Sequence, residues 1–109
     1  MKLILAIVQS EDAFDLSEAL TEAGFSVTRL NTSGGFLKMD NVTLLIGAPD
    51  DRVESALKII RMLCKSREQI LPAVFPAGYT ETSFTSRPVS VQIGGATVFI
   101  IDVDRFEKY

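Results

Sequence analysis

Two double-glycine segments are the places where this chain could do chemistry: Thr32-Ser33-Gly34-Gly35-Phe36-Leu37 and Gly94-Gly95-Ala96-Thr97-Val98-Phe99. Glycine lets a backbone come close to a ligand and present its N–H groups. An aromatic neighbour gives a flat base something to pack against. Together the segments point to a small molecule with an aromatic ring and an anionic part, although the same glycines also suit turns beside strands. The chain has no histidine and one cysteine. That excludes a Ser-His-Asp or Cys-His pair and an internal disulfide, and it removes the commonest metal ligand. The carboxylates form no compelling cluster, so the sequence reads as a binding protein without catalytic or metal-ligating residues.

The elements that must position these segments follow from hydrophobic patterning. With 109 residues, 47% of them hydrophobic, the chain is expected to form one domain over 1–109 with a single core. A formal net charge of −3 argues against nucleic acid as a partner. No apolar run is long enough to span a bilayer. The apolar start, Met1 to Val8, is followed at once by Gln9-Ser10-Glu11-Asp12 and lacks a cleavage site. It therefore reads as a strand buried on both faces, entering a helix capped by Ser10, and the expected location is cytoplasmic. Ala13, Leu16, Leu20 and Ala23 share one face of that helix, which Gly24 ends.

Phe25 to Thr32 reads as a second strand, 33–40 as a short glycine loop, and Asn41 to Gly47 as a third strand. Pro49-Asp50-Asp51 marks a second helix start. Its apolar stripe runs through Val53, Ala56, Leu57, Ile60 and Cys64, which makes Cys64 a core residue and not a nucleophile. Lys65 to Pro88 shows no periodicity and holds Pro72, Pro76 and Gly78; it is expected to be a long loop, near 65–88. Val89 to Ile93 and Ala96 to Val103 are the last strands, one unit broken at Gly94-Gly95. The order β-α-β-β-α-β predicts an α+β, ferredoxin-like sandwich, an antiparallel sheet with two helices on one face.

Leu3 to Val8, Thr43 to Ile46 and Val98 to Ile101 are apolar at successive positions. Successive strand side chains point to opposite faces, and two helices cover only one. The uncovered face would be an apolar patch of a size that soluble monomers rarely expose. Packing against copies of the same chain in a closed ring removes it, so a homo-oligomer is expected.

On Ala6-Ile7-Val8-Gln9, the first glycine segment, Arg67-Glu68-Gln69 and the second glycine segment, in this order along essentially the whole chain, the sequence resembles the PII-like cyclic di-AMP receptors, the PstA/DarA group. The resemblance implies a PII-like homotrimer that binds cyclic di-AMP in clefts between subunits. Its loops reorganise on nucleotide binding to regulate a downstream protein, with no enzymatic activity. It also raises individual residues to ligand-binding candidates. Phe36, Leu37 and Phe99 would pack on an adenine, backbone N–H groups near Gly35 and Phe36 would meet base or phosphate, and Gly94 is a further ligand-binding candidate. Thr28 and Asn41 would bond base or phosphate, and Gly47 would admit the ring. Where the family commonly has an arginine two positions before the threonine, this chain has Ser26. Losing that guanidinium costs about 1.5–3 kcal/mol of phosphate binding. The alternative to a receptor is a trimeric adaptor that has lost or altered nucleotide binding.

Overall fold

Strand β1 (Lys2–Gln9) runs antiparallel between β3 (Asn41–Ala48) and β6 (Ala96–Asp102), and β2 (Ser26–Leu30) pairs with the far side of β3. The sheet order is β2-β3-β1-β6, all antiparallel. Helices α1 (Ser10–Glu22) and α2 (Val53–Cys64) make the two crossovers. This is a small α+β fold with an antiparallel sheet and two helices, in the strand order of the ferredoxin-like fold expected from the sequence. The computed structural model describes residues 1–30, 41–71 and 89–109.

The alternation of side chains sorts the apolar residues into two layers. Ile4, Ala6 and Val8 of β1 lie beside Ile46, Leu44 and Val42 of β3 on the helix-facing side. They are buried against Ala13, Leu16 and Leu20 of α1 and Val53, Ala56, Ile60 and Cys64 of α2. The intervening residues Leu3, Leu5, Ile7 and Leu45 face the other way and are half-buried. Phe99 and Ile101 continue that open face onto β6, 46% and 45% exposed. The single chain therefore carries the uncovered apolar face that its strand sequences foretell.

Local chemistry sets the boundaries. Helix α1 begins at Ser10, and its cap residue is Gln9, with no side-chain capping bond. This corrects the expectation that Ser10 is the cap: β1 stays paired to its last residue, Gln9 with Asn41, and the helix starts at the next position. Glu11 and Asp12 still complement the positive end of the helix. At the other end Gly24 has φ +94°. Its N–H donates to the Thr21 carbonyl at 3.0 Å, and the Phe25 N–H donates to the Leu20 carbonyl at 2.9 Å, a left-handed closure that favours glycine. Arg52 clamps this corner, donating to the Ala23 carbonyl at 2.8 Å with its guanidinium 4.3 Å from the Phe25 ring centre.

Arg67–Leu71 forms a strand, β4, paired antiparallel with β5 (Val89–Ile93) in a separate two-stranded sheet. Two sequence expectations change with it. Lys65 onward is not wholly loop, and β5 and β6 are not one interrupted strand, because only β6 joins the main sheet. The residues of 65–88 beyond Leu71, and the glycine loop near 33–40 with Gly35, Phe36 and Leu37, lie outside the described residues.

Candidate functional site

Strand register places five of the candidate residues on the open face. Ser26 lies across from Gly47, and Thr28 across from Leu45. Leu45 neighbours Leu5, and Leu5 neighbours Phe99. Asn41 pairs with Gln9 at the end of the sheet from which residues 31–40 depart. Arg29 occupies the opposite face from Thr28, across from Leu44, so it cannot replace a guanidinium at position 26.

The candidates fall into separate groups. Ser26, Thr28 and Gly47 sit at the β2–β3 edge. Phe99 is on β6, three strand spacings from Thr28, roughly 14 Å at ordinary strand separation. Asn41 and Gly94 meet in a cleft of about 240 Å³ lined by Ile7, Gln9, Asn41, Gly94, Gly95 and Thr97. A larger cavity of about 480 Å³ lies between α2 and β6, walled largely by Leu57, Ile60, Cys64, Val98 and Ile100. It is mostly hydrocarbon, and none of the described candidates lines it. The smaller cleft holds two carboxamides and a hydroxyl, the groups suited to the edge of a base.

The two candidate glycines differ physically. A Cβ on Gly47 would meet nothing closer than the Met1 sulfur at 4.0 Å, so the fold leaves open space above β3 there. Gly94 has φ +78°, and a Cβ there would lie 2.7 Å from the Lys65 carbonyl oxygen and collide with the Arg67 guanidinium. Its N–H donates to Gln9 Oε1 at 2.7 Å. Gly94 thus shapes one wall of the cleft, with its N–H directed to Gln9.

That wall is fixed to the body of the protein. Asp12, buried at the start of α1, receives Arg67 Nη2 on Oδ1 at 2.9 Å and Nη1 on Oδ2 at 3.5 Å. Arg67 Nη1 also donates to the Lys65 carbonyl at 3.1 Å. The hydrogen bond to Asp12 holds the Arg67 guanidinium further above its already high range. The Gly95 N–H donates to the Cys64 carbonyl. The cysteine side chain is core, and burial pushes its thiol up to about 11, which fits the sequence reading that it is no nucleophile.

Sequence reasoning did not single out Gln9 and Thr97 as cleft residues. The available signal was position: each belongs to a quoted segment, Gln9 closing Ala6-Ile7-Val8-Gln9 and Thr97 following the second glycine pair. Among the described residues there is no group of three or more His, Cys, Asp or Glu side chains able to hold a metal ion, and no helix long and apolar enough to cross a membrane.

A family model described as the cyclic-di-AMP receptor matches residues 1–109. The chain is also similar to a functionally unknown protein from Pediococcus pentosaceus known from its crystal structure. The two are 38% identical over 99% of this chain and 96% of that one, with a TM-score of 0.77.

Proposed function

Because the chain belongs to the cyclic-di-AMP receptor family, we propose that it is a cytoplasmic, non-catalytic, PII-like signalling protein. Cyclic di-AMP lodges between the subunits of its homotrimer, and the loops near 33–40 and 65–88 reorganise to act on a downstream protein. The observation that carries this reading is the division of the candidate residues along one apolar face. Ser26, Thr28 and Gly47 lie at one end of the sheet order and Phe99 at the other. A ligand touching both groups needs the β6 edge of one subunit beside the β2–β3 edge of the next. The size of the cleft supports this. At about 240 Å³ in a single chain it falls below the roughly 300–1,000 Å³ of complete ligand pockets, so a neighbouring subunit has a wall to add.

Within that site Asn41 bonds the edge of the base, Thr28 the base or phosphate, and Phe99 supplies an aromatic surface. Gly35, Phe36 and Leu37 bring the glycine loop onto the nucleotide. Ligand shifts the loops only through its differential affinity for the ordered arrangement. Ser26 favours one second reading, a trimeric adaptor without nucleotide, because the phosphate-pairing cation is missing from that position.

Thermal denaturation with a panel of cyclic and linear nucleotides separates the two. A receptor is stabilised by cyclic di-AMP above all others, by about 2.7 kcal/mol at a hundred times Kd. An unchanged Tm with every nucleotide leaves the adaptor.

A further inference from the structure

We propose that Gln9 reads the nucleotide directly, its side-chain amide donating to an acceptor atom of the ligand. The assignment rests on the reading that cyclic di-AMP occupies the cleft. Gln9 is the last residue of β1, half-buried, on the open face beside Asn41 and in the cleft wall. Its Oε1 accepts the Gly94 N–H at 2.7 Å. A backbone N–H only donates, so the carbonyl end of the amide must face Gly94 and the nitrogen end must face away. That nitrogen carries two donors, and no hydrogen bond from it to another described residue accompanies the one at Oε1. A half-buried pair of donors beside a cleft suits a group that can only accept, such as a purine ring nitrogen or a phosphate oxygen.

The amide is also held in place before any ligand arrives. Arg67 and the Lys65 carbonyl pack where a Cβ of Gly94 would be and so close that side of the glycine. Arg67 is in turn fixed by Asp12 and the Lys65 carbonyl. The ion pair of exposed Arg67 with buried Asp12, the glycine N–H and the carboxamide form one connected series that ends at the cleft. Such preorganisation lowers the ordering cost of binding.

A purely structural role, tying the turn between β5 and β6 to β1, uses only the Gln9 oxygen. Two variants separate the roles. Gln9→Glu keeps an oxygen for Gly94, and a carboxylate is favourable where α1 begins, but both donors are gone. Gln9→Lys restores donors and removes the oxygen. Calorimetry with cyclic di-AMP is run in 0.5 M salt, where long-range attraction between lysine and the anion is screened, alongside thermal denaturation without ligand. The expected result is binding about ten- to a hundred-fold weaker for Gln9→Glu with its unliganded Tm kept, and tighter binding by Gln9→Lys than by Gln9→Glu. Wild-type affinity in Gln9→Glu, or the reverse order of the two variants, overturns the assignment and leaves the receptor reading standing. A wild-type protein that binds no cyclic di-AMP overturns both.

Discussion

Gly47 and Gly94 show how one residue type serves two ends. Gly94 answers to the chain itself, because Arg67 and the Lys65 carbonyl fill the place of a side chain. Gly47 has no such internal reason, since its surroundings are open and it sits in an ordinary strand. Valine is a better strand former than glycine, so Gly47→Val is expected to leave Tm unchanged or raise it while abolishing cyclic di-AMP binding in calorimetry. Loss of stability in that variant would show that the space is needed by the fold. At the other side of the same cross-strand pair, Ser26→Arg puts a guanidinium on the open face next to Thr28. It is expected to tighten cyclic di-AMP binding about ten- to a hundred-fold, and an unchanged Kd would place the phosphate elsewhere. The sequence marked both glycines as candidates and could not separate them, because the difference lies in what packs against each from residues distant along the chain.

The elements that the sequence announced are those packed on the core. β1 and β3 carry apolar runs, and α2 places Val53, Ala56, Ile60 and Cys64 on its buried side, so periodicity reveals them. β4 was hidden for a physical reason. Arg67 to Ile70 are all exposed, because the two-stranded sheet stands off the core and its register is set by pairing with β5. A strand without a buried face leaves no alternation to read. The Arg67–Asp12 contact is illegible for a related reason, since it joins the start of α1 to a strand 55 positions later. The end of α2 makes a testable point about alkali. The folded chain keeps the Cys64 thiol protonated up to about 11, against an ordinary 9.0. Folding therefore holds that proton more tightly than the unfolded chain does. The stability linked to it is complete below pH 9 and falls as the pH rises through about 11, by on the order of 2 kcal/mol. Urea unfolding at pH 8 and pH 10.5 should show a larger alkaline loss for the wild type than for Cys64→Ala. Equal losses would mean that the thiol titrates normally in the folded protein.

At the scale of the molecule, the open face is the surface that an assembly has to cover. Leu3, Leu5 and Leu45 are only half-covered in one chain, and Phe99 and Ile101 extend the patch to the β6 edge. Leu5 lies near its middle, between Leu45 and Phe99. The wild type is expected to sediment as a trimer, and Leu5→Glu, which would bury a carboxylate in that interface, as a single chain that no longer binds cyclic di-AMP. A monomeric wild type would remove the ring and the shared clefts with it. The sequence foretold the patch because the strands are apolar on both sides of the pleat. It did not foretell the split of the candidate residues between opposite edges, which follows from the sheet order.

The pairing of β4 with β5 outside the main sheet carries one more consequence. Their register runs from Arg67 opposite Ile93 to Leu71 opposite Val89, so whatever lies between Leu71 and Val89 begins and ends side by side. A stretch of chain delivered on such a closed stem is an exchangeable cassette. A graft of that stretch from a relative onto the stem is therefore expected to leave the four-stranded sheet and its helices folded, which thermal denaturation of the graft checks.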